Sequence, residues 1–159
     1  MKKNLILYLL LFSFISLWGQ QKATLIHADA NLYKVDSLLY RSEQLVNEDK
    51  KIFHASEGIK LINHPLLTWR IKAPEIASVL KLIRKHQNEG AVLIHCYHGA
   101  DRTGIMVAMY RIIYEDWSIA DAKNEMLNGP YGYHSVWKNL EALFTESTVA
   151  EVRKHLGIK

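Results

Sequence analysis

Cysteine is almost absent from this sequence: Cys96 is the only one among 159 residues. Small exported domains often depend on several disulfides, and a single cysteine cannot form one within its own chain. Cys96 is therefore either a buried apolar side chain or a free reactive thiol. The residues around it decide between these two possibilities.

A strong excess of charge of one sign is also lacking. Lysine and arginine total 20 and aspartate and glutamate 16, which gives a formal net charge of +4. Proteins that bind nucleic acid or membrane surfaces carry larger and more clustered positive charge, so we expect neither partner. Hydrophobic residues make up 49% and charged residues 23% of the sequence. This composition is that of an ordinary globular protein, and the length suits one domain.

Long hydrophobic runs are missing except at the N-terminus. Two lysines precede the apolar run 5–18, and Gly19 follows it. A positive start, an apolar middle and a small residue are typical of a cleaved secretory signal peptide. A retained membrane helix is the alternative, but a span needs about 20 apolar residues. We therefore predict a signal peptide at 1–19, an exported domain at 20–159 that is periplasmic or secreted, and no stable membrane insertion after cleavage.

Strand and helix patterns alternate along the rest of the chain. Alternating or continuous apolar runs predict the strands, and 3.6-residue spacing or terminal signals predict the helices. The predicted strands are 31–35 and 38–42, which form a hairpin or a pair of edge strands, then 59–64, then 91–95, a central strand buried on both faces. The predicted helices are 74–90, 103–114, 118–129, 135–144 and 148–155, and residues 43–57 are polar and only weakly helical. This alternation predicts the α/β class.

The loop after strand 91–95 contains the sequence His-Cys-Tyr-His-Gly-Ala-Asp-Arg-Thr-Gly, residues 95–104. Successive backbone N–H groups in such a turn and the positive end of the next helix converge on one point, which favours a bound oxyanion. Gly99 allows the backbone to approach a ligand closely, and the fork of Arg102 fits two phosphate oxygens. The residues expected to contact phosphate are Tyr97, His98, Gly99, Ala100, Asp101 and Arg102.

Cys96 begins this loop, where the field that attracts phosphate also favours a thiolate, the nucleophilic form of cysteine. We expect Thr103 to hydrogen-bond the sulfur, His95 to hold the loop through backbone hydrogen bonds, and Gly104 to permit close helix packing. Buried filler is the alternative for Cys96. Six specified positions between a strand and a helix favour the nucleophile. They are His95, Cys96, Gly99, Arg102, Thr103 and Gly104.

This loop resembles the Cys-x5-Arg signature of the protein tyrosine and dual-specificity phosphatase superfamily, and its form is similar to exported bacterial members of the dual-specificity group. Shorter matches at 31–33, 39–42, 68–71 and 129–134 extend the resemblance over most of residues 31 to 144. The resemblance implies a three-layer-like phosphatase fold with a small, mostly parallel central sheet flanked by helices. It also implies a thiophosphate intermediate on Cys96 that water hydrolyses, with no cofactor and no metal. The implied substrate is a phosphorylated protein, at phosphotyrosine or phosphoserine/threonine, or a small phosphomonoester.

Two features depart from the family pattern. The loop that ordinarily carries a general-acid aspartate should be 67–74, and it contains no aspartate. Asp101, which resembles the loop acid of the myotubularin lipid phosphatases, is the favoured substitute, and Glu75 or no dedicated acid are the alternatives.

Only sixteen residues separate Ser42 from Ile59. They are too few and too polar for the helix and core strand that the family ordinarily has there, so we expect one core strand to be missing.

Four residues near the expected site have two interpretations each. His95 and His98 have the spacing of paired metal ligands, but no third ligand is suitably spaced, so no metal is predicted. Trp69 is either a wall of the cleft or a core residue. His134 either borders the site or packs within a turn.

Two other functions compete with protein phosphatase activity. One is an inositol-phosphate phosphatase similar to phytate-degrading enzymes, and the negative charge of Asp101 counts against it. The other is a catalytically weak, phosphate-binding pseudophosphatase. The complete pair of Cys96 and Arg102 counts against that second alternative.

Overall fold

The computed structural model describes residues 20–45 and 59–158. The predicted signal peptide at 1–19 and most of the polar segment 43–57 lie outside these residues, so both interpretations stay predictions. Within the described residues, no helix has the length and apolar character needed to cross a membrane.

A four-stranded sheet forms the centre of the described structure. Its strands are β1 (Thr24–His27), β2 (Leu32–Lys34), β3 (Leu39–Ser42) and β4 (Val92–His95), in that spatial order. The predicted hairpin is confirmed, because β2 and β3 pair antiparallel. Its turn is held by Asp36, whose Oδ1 accepts hydrogen bonds from the backbone N–H groups of Leu38 and Leu39 at 2.6 and 2.7 Å.

Helices surround this sheet and confirm the α/β class. A 3₁₀ turn at Thr68–Arg70 precedes α1 (Ala73–Gln87), α2 (Asp101–Tyr114), α3 (Ile119–Asn128), α4 (Lys138–Glu141) and α5 (Glu146–Leu156). Helix α1 packs mainly against α5, and α2 packs against α3 and contacts β3 and β4. The predicted helices 135–144 and 148–155 correspond to the much shorter α4 and to α5.

The first two long helices form for reasons visible in the sequence. At the start of α1, Glu75 Oε2 accepts a hydrogen bond from the backbone N–H of Lys72 at 3.1 Å, which satisfies one exposed helix donor. The apolar stripe of α1 places Ile76, Leu80 and Ile83 in the core. Helix α2 is apolar on nearly all sides, and its residues 103–113 are all buried, as expected for a helix enclosed by its neighbours.

The sheet is mixed rather than mostly parallel, which corrects the expectation. Of the pairings in the described sheet, β1 with β2 and β2 with β3 are antiparallel, and only β3 with β4 is parallel. The difference arises because the segment before the predicted hairpin, for which the sequence predicted no strand, forms β1. All four residues of β1 are exposed, so hydrogen bonding to β2 rather than burial holds this strand in place.

The predicted strand 59–64 is wrong, and so is the predicted burial of β4 on both faces. Residues 59–64 are exposed and make no strand pairing in the described part of the chain. Strand β4 is half-buried and lies at the end of the described sheet. A short apolar run becomes a strand only with a pairing partner, and residues 59–64 have none among the described strands.

Two leucine variants test the corrected position of residues 59–64. Leu80 is fully buried and Leu61 is 70% exposed. Leu80→Ala is expected to lower the free energy of unfolding by about 2–5 kcal/mol because it leaves a cavity. Leu61→Ala is expected to change it by less than about 0.5 kcal/mol. Urea denaturation of both variants makes the comparison, and a large loss at Leu61 would restore the buried strand.

Candidate active site

The loop that carries Cys96 runs from the end of β4 to Ala100, and helix α2 begins at Asp101. The helix therefore starts two residues before the predicted Thr103. Ala100 is the residue before the first turn and has helical backbone angles. As a consequence, Arg102 lies in the first turn of α2, where unpaired backbone N–H groups favour an anion.

Gly99 fixes the position of this loop against the sheet. Its φ is +67°, a conformation that favours glycine. A Cβ at this position would lie 2.5 Å from the carbonyl oxygen of Ser42 and 2.6 Å from the backbone nitrogen of Glu43. Gly99 is therefore needed because the loop lies so close to the end of β3. The sequence suggested a different reason, which was close approach of the backbone to a ligand.

Arg41 also supports the loop, although its position in the sequence does not mark it as a site residue. Its side chain is buried, and Nη2 donates a hydrogen bond to the carbonyl oxygen of Gly99 at 2.7 Å. The guanidinium also lies 3.8 Å from the ring centroid of Tyr131. Burial lowers the pKa of Arg41 to about 10, with nearby Tyr131, Glu125 and Cys96 acting in the opposite direction. Arg41 is still charged at neutral pH, so it adds positive charge beneath the loop.

Asn31 holds the same loop from the side, and its position in the sequence does not mark it either. Its Nδ2 donates to the carbonyl oxygens of His98 and Tyr131 at 2.9 and 3.0 Å. The backbone N–H of Gln44 donates to the carbonyl oxygen of Tyr97 at 3.2 Å. The short resemblances to the phosphatase superfamily at 31–33 and 39–42 were the only sequence signal for the contacts that Asn31 and Arg41 make with the loop. Nothing in local spacing links residue 31 to residue 98.

A buried ion pair extends the support of the loop into the helices. The hydroxyl of Tyr131 donates to Glu125 Oε1 at 3.2 Å, and Arg111 Nη2 donates to the same carboxylate oxygen at 2.9 Å. Burial raises the pKa of Tyr131, so this phenol is a neutral hydrogen-bond donor at neutral pH. Arg41 is stacked on Tyr131. The loop is thus connected through the Tyr131 ring and the charges of Arg41, Glu125 and Arg111 to α2 and α3.

The predicted nucleophile and phosphate clamp occupy the two ends of the loop. Cys96 and Arg102 are both partly buried, and Arg102 Nη1 donates to the carbonyl oxygen of Leu66 at 3.2 Å. The Oγ1 of Thr103 is buried and has no hydrogen-bond partner among the described residues, so the expected hydrogen bond to the Cys96 sulfur is not formed. His95 is paired in register with Ser42 across β3 and β4.

Gly104 lies where α2 meets α3. A Cβ there would be 3.2 Å from Cγ of Met126, which is closer than most real contacts of this kind.

Asp101 and His134 form a direct pair that the sequence did not reveal. Asp101 is 8% exposed. Its Oδ1 accepts from the backbone N–H of His134 and its Oδ2 contacts His134 Nδ1, both at 2.9 Å. The His98 ring lies 5.1 Å from the His134 ring, centroid to centroid. His98, Asp101 and His134 each place one potential metal-ligand atom within 4.8 Å of the others, whereas the spacing argument considered only His95 and His98.

Three exposed apolar side chains lie in the loop or in segments that contact the residues after it. The carbonyl oxygen of Leu66, three residues before Trp69, accepts from Arg102, and His134, two residues before Val136, contacts Asp101. Trp69 is 62% exposed on the 3₁₀ turn, so it is not a core residue, and Tyr97 is 67% exposed within the loop. Val136, two residues after His134, is also exposed. Asn139 Nδ2 donates to the carbonyl oxygen of Thr68 at 2.9 Å and fixes the 3₁₀ turn against α4. We call Trp69, Tyr97 and Val136 the apolar rim.

Two glycine-to-alanine variants separate the close approach at Gly99 from backbone strain alone. Gly132 also has a positive φ, +78°, but a Cβ there would meet nothing within 4 Å. Gly99→Ala is expected to lower the free energy of unfolding by about 1–3 kcal/mol more than Gly132→Ala, because only the former forces the loop away from β3. Thermal or urea denaturation measures the difference. Equal losses would show that the contact with Ser42 does not determine the loop position.

Comparison with known proteins agrees with this geometry. The chain aligns with the dual specificity protein phosphatase TpbA of two Pseudomonas aeruginosa strains, UCBPP-PA14 and ATCC 15692, at 29% identity over 134 residues. These alignments cover 72% of this chain and 60% of each relative, so the chain spans about three fifths of the curated relatives' length.

Solved structures give the same result for the fold. The crystal structure of P. aeruginosa TpbA matches with a TM-score of 0.77 and 25% identity over 87% of this chain and 98% of that one. A cysteine-to-serine variant of TpbA in complex with phosphotyrosine matches with a TM-score of 0.75 and 24% identity, over 88% and 98%. The model of a tyrosine phosphatase family matches residues 19–114, more than half of the sequence, and the chain belongs to that family.

Proposed function

We propose that this protein hydrolyses phosphomonoesters through a covalent intermediate on Cys96, and that phosphotyrosine in proteins is its preferred substrate. The observation that carries the proposal is the loop 96–100, held between β4 and the first turn of α2 with Arg102 at its end. Cys96 directly follows β4 and is partly exposed. A phosphate group at the centre of this loop is within the field of both the helix end and the guanidinium.

The first step forms a sulfur–phosphorus bond. The Cys96 thiolate attacks phosphorus, the bond from phosphorus to the leaving oxygen breaks, and that oxygen takes a proton from a general acid. The loop N–H groups and Arg102 stabilise the charge on the three other oxygens. The buried charge of Arg41, which contacts Gly99 from below, favours both the thiolate and the bound phosphate.

The second step releases inorganic phosphate. Water attacks phosphorus, the sulfur–phosphorus bond breaks, and the thiolate is regenerated while the deprotonated acid takes a proton from the water. The buried hydroxyl of Thr103 has no hydrogen-bond partner among the described residues, so it is available to stabilise the departing sulfur. This assignment follows from its position one residue after Arg102.

Asp101 is the general acid that we propose. The expected acid loop 67–74 holds no carboxylate, and the Glu75 carboxylate hydrogen-bonds the backbone N–H of Lys72 at the start of α1. Asp101 lies in the first turn of α2, next to Arg102. Its pairing with His134 holds the carboxyl group at the loop.

The apolar rim supports a preference for phosphotyrosine over phosphoserine. Trp69, Tyr97 and Val136 are exposed, in the loop or in segments that contact Asp101 and Arg102, and an aromatic ring packs on such surfaces more favourably than a serine methylene. A substrate with many phosphates would instead require additional cations, whereas Asp101, the first residue of α2, adds negative charge next to the loop. The rim and this charge therefore favour an aryl phosphate in a protein over an inositol phosphate.

Turnover assays test the role of Cys96 and the substrate preference together. Wild-type protein is expected to hydrolyse p-nitrophenyl phosphate and to act faster on a phosphotyrosine peptide than on the matched phosphoserine peptide. Cys96→Ser is expected to lower all three rates by roughly a thousand-fold or more, as for other catalytic nucleophiles, while vanadate still binds. An inactive wild type that binds vanadate would identify a pseudophosphatase, and an active serine variant would rule out Cys96.

The dependence on leaving group tests the acid. Asp101→Asn is expected to reduce turnover of an alkyl phosphate by about 10²–10⁴-fold, because that leaving group needs a proton. The loss on p-nitrophenyl phosphate is expected to be much smaller, since its leaving group is a stable anion. Glu75→Gln is the matched carboxylate control, with equal small effects on both substrates. His134→Gln removes only the side-chain contact and keeps the backbone hydrogen bond to Asp101 Oδ1. Equal losses on both substrates in Asp101→Asn would contradict the assignment to Asp101.

A further inference from the structure

We propose that His98, Asp101 and His134 form a zinc-binding site at the mouth of the phosphate loop. One ligand atom from each residue lies within 4.8 Å of the others. Two of these residues belong to the loop region, and the third is 33 positions further along the chain. The fold, rather than the local sequence, therefore assembles the set.

The protein holds this cluster in place before any ion binds. Asp101 is buried, and its Oδ1 accepts the backbone N–H of His134 at 2.9 Å. This bond orients the carboxylate and leaves Oδ2 towards the imidazole of His134, at 2.9 Å. The backbone of His98 is fixed by Asn31, which donates to its carbonyl oxygen, and the Tyr97 ring packs edge-on against the His98 ring at 4.6 Å.

The donor set suits zinc better than the alkaline-earth ions. Zinc binds histidine nitrogen and carboxylate oxygen at about 2.0–2.2 Å, often with three protein ligands and one open position. Calcium and magnesium instead require oxygen ligands. Tetrahedral zinc holds its ligand atoms about 3.3–3.6 Å apart, a separation that follows from those bond lengths. Rotation of the two exposed histidine rings about the buried carboxylate would bring separations of up to 4.8 Å into this range. It would also lengthen the 2.9 Å contact between Asp101 and His134 as the ion replaces that hydrogen bond.

An ion at this position would also affect the proposed phosphatase activity. This effect on turnover rests on the proposed function, whereas the binding of zinc itself does not. His98 is one of the loop residues between Cys96 and Arg102, and Asp101 is the proposed acid. Zinc bound to both side chains occupies the carboxylate and the loop mouth, so it competes with turnover. Removal of the ion by a chelator restores turnover.

Direct binding measurements test the site without reference to catalysis. Calorimetric titration of the purified protein with zinc chloride, with a phosphine reductant in place of dithiols, is expected to show one ion per chain. His98→Ala and His134→Ala are each expected to weaken binding by at least ten-fold, and magnesium chloride is expected to give no binding signal. His27→Ala, which removes an exposed histidine of β1, is the control and is expected to leave the affinity unchanged within two-fold.

The Cys96→Ser variant separates this site from binding by the thiol. It is expected to keep the zinc affinity within about three-fold and to give an X-ray absorption spectrum with nitrogen and oxygen ligands only. A sulfur ligand near 2.3 Å in the wild type, loss of binding in Cys96→Ser, or full binding in both histidine variants would overturn the proposal. A protein that binds zinc in this pattern but hydrolyses no phosphate would contradict the proposed function and leave the site intact.

Discussion

The contact between the phosphate loop and the end of β3 determines the rest of the site. Gly99 approaches the Ser42 backbone so closely that a Cβ would meet it at 2.5 Å, and Arg41 donates to the Gly99 carbonyl oxygen at 2.7 Å. These contacts place Cys96 at the end of β4 and Arg102 in the first turn of α2. The short strand β3 is thus more important for the site than its four residues suggest.

The same contact connects the site to the core through the ring of Tyr131 and through buried charged side chains. Arg41 is stacked on Tyr131, whose hydroxyl reaches Glu125, and Glu125 is paired with the buried Arg111 of α2. An unpaired charge in the interior is costly, so this arrangement is stable only with its partners present. The four described strands are short, and buried polar contacts add to their apolar packing in holding the loop.

The sequence predicted the parts of the structure that depend on local pattern. The hairpin of β2 and β3, the apolar stripe of α1 and the loop from Cys96 to Arg102 all have short-range signals, and the structure places them as expected. Strand 59–64 was wrong because a local apolar pattern does not report whether a pairing partner exists. The pair of Asp101 and His134 and the support from Arg41 join distant segments, so no spacing rule could reveal them.

The most direct test of this account is identification of the phosphorylated residue during turnover. Wild-type protein that is mixed with p-nitrophenyl phosphate, quenched within milliseconds and digested should give a peptide in which Cys96 carries one phosphoryl group. The account predicts that this species forms before steady-state release of phosphate and is absent from the Cys96→Ser variant. Steady turnover with no phosphorylated cysteine, or with the phosphoryl group on a histidine, would contradict it.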